Sequence, residues 1–172
     1  MIGENFSMIE HIWTVLCSRA IVDADSNNLS LINVIEQINI NDEPKPDGFI
    51  PIPFEVVSYW SRIEVDKPAN GQVNITLISP SGKLINTNEV PLDLKNFQRE
   101  RQRVSYPGIP ASEPGRYVFH IEFRDESEQQ WHEVANVPLT IIFTPHKETR
   151  AVLFSRNLGS SDAGIQKPCF SG

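Results

Sequence analysis

Between Glu113 and Phe143 the chain alternates apolar and polar positions twice over, with a polar break between. Tyr117, Phe119, Ile121 and Phe123 alternate with Val118, His120, Glu122 and Arg124, a period of two that marks a strand with one buried face. Pro114-Gly115 punctuates its start, and Asp125-Glu-Ser-Glu128 is a polar turn. Trp131, Ala135, Val137, Leu139, Ile141 and Phe143 then fall on one side of a returning strand within Gln130–Phe143. Upstream, Ile9–Val22 is expected as a first strand, with a helix over 8–18 as the competing reading. Leu29–Ile40 is expected as a second, central strand. Phe49–Val65 is a third, broken near Pro51 and Pro53. Val73, Ile75 and Leu77, then Lys83–Val90, then Phe97–Tyr106 complete about eight strands.

Turn chemistry agrees with this division. Asp23-Ala-Asp-Ser-Asn-Asn28, Lys67-Pro-Ala-Asn-Gly71 and Ser79-Pro-Ser-Gly82 are rich in residues that bond their own backbone or accept positive φ. Thirteen prolines spread along 172 residues oppose long helices. The predicted fold is all-β: a single antiparallel two-sheet β-sandwich, immunoglobulin-like, with a C-terminal tail. Residues 1–8 form a lead-in, 9–152 the sandwich domain, and 153–172 a Ser/Gly-rich tail, flexible or docked.

Composition narrows the function classes. A net charge of −7 disfavours nucleic-acid binding, which draws its affinity largely from phosphate neutralisation. Two cysteines, Cys17 and Cys169, make a poor disulfide framework and suit a reducing compartment. The opening residues lack the basic and apolar regions of a signal peptide, and no apolar run approaches the ~20 residues of a membrane span. A cytoplasmic protein is expected, with no membrane or nucleic-acid partner.

The segment Val15–Ile38, the Ser79-Pro-Ser-Gly-Lys83 turn and Pro114-Gly-Arg-Tyr-Val-Phe119 resemble a family of small uncharacterised bacterial β-sandwich proteins, over roughly residues 9–143. The resemblance implies a fold and carries no activity or functional residues.

Candidate chemistry is sparse. Asp23-x-Asp-x-Asn27 begins with calcium-loop spacing, but lacks the glycine and the twelfth-position glutamate, and reads as a polar turn. His120, Glu122 and His132 can meet across the hairpin as metal ligands if the register allows; an ordinary solvated face gives the same alternation. Arg99, Arg101 and Arg103 form a guanidinium row on one side of a strand. Such a row can receive carboxylates or phosphates of a partner, or can guard an exposed edge against unwanted pairing. Trp13, Trp60 and Trp131 are expected in the core more than on sugars. No nucleophile elbow or phosphate-binding glycine loop occurs. The expected function is therefore non-enzymatic and without a cofactor: a protein-interaction module or assembly subunit, binding a protein partner or itself. A small-ligand or metal-binding domain with weak hydrolytic activity at His120, Glu122 and His132 is the alternative.

Overall fold

The computed structural model describes residues 8–145; the sequence-predicted tail at 153–172 and most of the lead-in lie outside the described residues. Within them the chain is all-β, without helix. Eleven strands run in order: β1 Ile9–Val22, β2 Leu29–Val34, β3 Gln37–Ile40, β4 Phe49–Ile50, β5 Phe54–Arg62, β6 Asn70–Ile78, β7 Leu84–Asp93, β8 Arg99–Tyr106, β9 Ile109–Pro110, β10 Gly115–Asp125 and β11 His132–Phe143. They form a four-stranded sheet β2-β1-β5-β8, a five-stranded sheet β3-β11-β10-β6-β7, and a short ribbon β4-β9.

Two expected strands are split. Leu29–Ile40 divides between the two main sheets, β2 pairing with β1 and β3 with β11. Asn33 takes φ 48° at the end of β2, a left-handed backbone that asparagine tolerates better than most residues. The chain then leaves one sheet, with the Ile35 amide still donating to Leu16 O at 2.8 Å, and joins the other. Phe49–Val65 divides at Pro51 and Pro53, neither of which can donate to a ladder. β3 runs parallel to β11, so the five-stranded sheet is mixed and not purely antiparallel as expected.

The alternation of β10 is reproduced closely. Tyr117, Phe119, Ile121 and Phe123 are buried, and their core also takes Phe54, Val56, Trp60 and Tyr106 from the four-stranded sheet. Phe54 and Tyr106 stack at 5.0 Å, and both meet Phe119 edge-on, at 5.7 and 5.8 Å. Each such aromatic contributes about 1.5–3 kcal/mol by leaving water. The Tyr117 hydroxyl donates to Glu113 O at 2.9 Å, four residues back, tying the entry of β10 to its preceding turn.

β5 is buried on both faces because the β1–β2 hairpin curls over its outer side. β1 pairs with β5 only as far as Cys17–Glu55. Beyond that point, Cys17, Ala20 and Val57 form a second small core with Trp13, Val15, Leu29 and Leu31 packed around it.

Candidate functional site

The guanidinium row lies on the outer face of β8, at the edge of its sheet, beneath this curled hairpin. Register sets Arg103 opposite Val57 and Arg101 opposite Tyr59, both on the outer face of β5. Arg103 forms a two-pronged pair with Glu55, Nε to Oε2 at 3.1 Å and Nη2 to Oε1 at 3.0 Å. The Glu55 Oε2 also accepts the Ala20 amide at 3.0 Å. Arg101 reaches the hairpin tip, donating to Asn27 O at 2.9 Å and Asn27 Oδ1 at 3.2 Å, with its guanidinium 5.8 Å from the Tyr59 ring centre. Asn27 holds φ 54°, the left-handed turn that presents its carbonyl to Arg101. Arg101 thus ties the hairpin tip to β8, and Arg103 braces the Glu55 carboxylate that holds the hairpin at Ala20. Arg99 is exposed, and its side chain makes no hydrogen bond or ion pair among the described residues.

The Arg103 guanidinium beside Glu55 holds that carboxyl below its ordinary value near 4.5, and raises the Arg103 guanidinium in turn. A carboxyl with a lowered folded-state pKa adds stability above its unfolded pKa and loses it as pH falls through the folded value. Glu55→Gln keeps an acceptor for Ala20 and removes the charge. Arg103 is 40% exposed, so solvent screens the pair, and the expected loss at neutral pH is about 1 kcal/mol. Urea melts of wild type and variant should converge once the pH lies below the folded pKa of Glu55. A gap unchanged by acid would show that the charge of Glu55 does not act in the clasp.

The candidate metal residues are dispersed. A bulge between Ile121 and Glu122 shifts the β10–β11 register, placing Asn136 opposite His120, Glu133 opposite Glu122 and His132 opposite Phe123. His120 Nε2 lies 2.9 Å from Glu133 Oε2, and His132 Nε2 lies 2.8 Å from Glu128 Oε2. Glu122 accepts Asn74 Nδ2 at 2.9 Å. Among the described residues no three His, Cys, Asp or Glu side chains are grouped to hold a metal ion. The expected His120/Glu122/His132 cluster does not form, because the hairpin register sets His120 opposite Asn136 and His132 opposite Phe123, several residues apart along the ladder. The hydrogen bond from His120 holds the Glu133 carboxyl below its usual range.

The calcium-like segment is a turn. Asp23 Oδ1 accepts the Ser26 amide at 2.7 Å and its hydroxyl at 2.6 Å, and these bonds lower the Asp23 carboxyl. Cys17 is a fully buried free thiol. Burial first, and the Glu55 charge second, push its pKa up and disfavour a reactive thiolate. Trp60 is fully buried, as expected. Trp13 is partly buried in the second core beside Tyr59, and Trp131 departs from the apolar row to lie 4.6 Å from the Arg124 guanidinium.

Residue types at alternate positions revealed the arginine row, but neither Glu55 nor Asn27 was singled out as its partner. A lone carboxylate between Phe54 and Val56 is the one signal for Glu55. Charges are seldom placed inside an apolar strand without a partner.

No protein-family model matches the chain, and no curated protein matches it significantly. Among solved structures it is similar to the C-terminal domain of Wzt, at TM-score 0.47 and 7% identity over 79% of this chain and 74% of that one. It is also similar to the Pseudomonas fluorescens alkylpurine DNA glycosylase AlkC, at TM-score 0.42 and 10% identity, over 79% of this chain and 31% of that one. A CARDB domain from Pyrococcus furiosus, in complex with di-metal ions, gives TM-score 0.39 and 12% identity over 81% of this chain and 99% of that one. Likeness at these scores carries no argument about function.

Proposed function

We propose that this chain is a non-enzymatic protein-interaction module of the cytoplasm, built as an immunoglobulin-like two-sheet sandwich with one parallel pair. The orders β8-β5 and β11-β10-β6-β7, the shared core and the Tyr117 hydroxyl tied to the preceding backbone support the sandwich reading. The buried free thiol Cys17 supports a reducing compartment.

One observation carries the binding role: the character of β2 as an edge. Edge strands are normally guarded by charge, proline or shortness. β8 carries Arg99, Arg101 and Arg103; β7 carries Glu89, Pro91 and Asp93; β3 has four residues. β2, Leu29-Ser-Leu-Ile-Asn-Val34, has neither charge nor proline. It exposes Ile32 at 40% and Val34 at 55%, next to Ile21 on β1. An extended, apolar, β-branched segment of a partner protein adds there as a further strand, its backbone supplying affinity and its side chains meeting Ile32 and Val34. Arg101 and Arg103 serve this reading by fixing the hairpin that presents β2, and Arg99 remains as a cation for a partner's carboxylate.

The ionisable groups support a binding role over a catalytic one. His120, Glu122 and His132 are each engaged in a separate pairwise bond.

The test is a native pull-down from the protein's own lysate, wild type beside Val34→Lys, with sedimentation of both. The reading expects a stoichiometric partner that Val34→Lys loses, with melting temperature unchanged within about 2 °C. A partner retained by the variant, no partner at all, or a dimer that the variant dissolves into monomers each overturns it; the last assigns the edge to self-association.

A further inference from the structure

Two open hollows, of about 410 and 190 Å³, lie side by side where the β4–β9 ribbon meets the start of β7 and the end of β11. Gly48, Phe49 and Ala111 line both, so Phe49 divides one groove into two. Its ring rests on Gly108, where a Cβ would meet Phe49 Cζ at 2.5 Å. Phe49 is 52% exposed, and Leu84, in the larger hollow, is 61% exposed. A single exposed apolar side chain needs no explanation. Two large ones in one groove, joined by Pro46, Ile85 and Pro110, favour an apolar occupant that takes them out of water.

Charge adds to this. The two hollows are lined by Asp42, Glu43, Asp47 and Glu113 against Lys45 and Lys83. Lys45 pairs with Asp42 at 3.0 Å, and Glu113 accepts the Ser81 hydroxyl at 2.6 Å. The carboxylates of Glu43 and Asp47 have no side-chain partner among the described residues. Acidity alone assigns no occupant; the path of the chain does. Phe143, the last residue of β11, lines the smaller hollow together with Ile40, and the Thr144 amide donates to Ile40 O at 2.8 Å. The chain therefore leaves its last strand at the rim of the groove. Its sequence continues His146-Lys-Glu-Thr-Arg150-Ala-Val-Leu-Phe154-Ser-Arg156, four apolar residues set among three cations and one carboxylate. That is the complement of the groove in both respects. The six residues from Pro145 to Ala151 reach as far as about 20 Å. A segment tethered at the rim meets the groove at an effective concentration of about millimolar, which favours it over a free partner of the same chemistry.

We propose that the chain's own segment Ala151-Val-Leu-Phe154 fills this groove, packing on Phe49 and Leu84, with its flanking Lys147, Arg150 and Arg156 set against Glu43 and Asp47. The groove involves none of the residues of the β2 edge, and the proposal stands independently of it.

The test is NMR and limited proteolysis of the full chain, wild type beside the double variant Leu153→Asp, Phe154→Asp. In wild type, nuclear Overhauser contacts are expected between the Phe49 ring and the methyl groups of Val152 or Leu153. In an equal mixture of isotope-labelled and unlabelled protein they should stay within one copy. The double variant should lose them and shift the amides of Gly48, Ile85 and Ala111, leaving those of Tyr117 and Phe119 in place. Trypsin should cut after Arg150 and Arg156 at least about tenfold faster in the variant, since cleavage follows the open population. Leu84→Asp, at an exposed position of the groove, should speed the same cuts. A capped Lys-Glu-Thr-Arg-Ala-Val-Leu-Phe peptide, added in trans, should bind the double variant and be excluded from wild type. Absence of the Phe49 contacts, or equal cleavage of wild type and both variants, overturns the proposal. Contacts found only between copies also overturn it and assign the groove to a second molecule. Equal binding of the peptide to wild type and the double variant overturns it too, leaving the groove open to a separate partner.

Discussion

Trp60→Ala is expected to cost about 4 kcal/mol and to lower the melting temperature by roughly 10 °C. Trp60 is the largest of the fully buried side chains among the described residues and stands two residues before the end of β5. Its ring lies 5.5 Å from Phe123 of the facing sheet and meets the edge of His11 at 4.8 Å. Removing it deletes the contact that joins the two sheets near the β10–β11 turn and leaves a cavity that rigid strands on both sides cannot close. The indole nitrogen is buried without a hydrogen-bond partner, so part of what the ring gains by burial is spent on an unmet donor. Trp60→Phe therefore keeps most of the packing and removes the unmet donor. Its loss should stay near 1 kcal/mol. Calorimetric melts of the two variants decide the point: equal losses would show that the five-membered ring, not the cavity, carries the stability of this position.

Gly71→Ala is the second severe change, expected to cost about 3 kcal/mol. Gly71 sits in β6 with Leu92 on one side and Asp125 on the other. A Cβ built there meets Phe123 Cε2 at 2.3 Å and Arg124 O at 2.7 Å. One obstacle is a ring fixed in the core, the other a backbone oxygen of the adjacent ladder; neither yields cheaply. Gly82 offers the contrast. Its φ of 82° favours glycine, but nothing lies within 4 Å of a built Cβ, so Gly82→Ala pays only the left-handed backbone term of about 1 kcal/mol. Denaturant unfolding of both variants separates steric from conformational cost. A Gly71→Ala loss no greater than that of Gly82→Ala would mean that β6 and β10 can move apart at this point.

Strand content was legible wherever one face is buried and the partner is local. Tyr117, Phe119, Ile121 and Phe123 declare their face by simple alternation, and all four are in the core. Leu29–Ile40 shows the limit. Its apolar content is continuous, and nothing in composition marks Asn33 as the residue whose backbone turns the chain from one sheet to the other. The His120/Glu122/His132 grouping failed for a related reason: the hairpin register, which the turn and the Ile121/Glu122 bulge set, places His132 opposite Phe123 and His120 opposite Asn136. The arginine row was visible as a row, while its partners Glu55 and Asn27 come from distant parts of the chain that only the folded topology assembles.

The parallel pairing of β3 with β11 has a consequence for how the chain is made. Register aligns Gln37 with Thr140, closing a loop of about 100 residues, the kind of contact whose entropy must be met before it stabilises anything. β11 also lies between β3 and β10, so β3 has no neighbouring strand, and β10 has β6 alone, until it is in place. During synthesis the earlier strands can pair among themselves, but β3 keeps an open edge until β11 has emerged. The chain is thus most exposed to wrong partners in the interval before β11 is made.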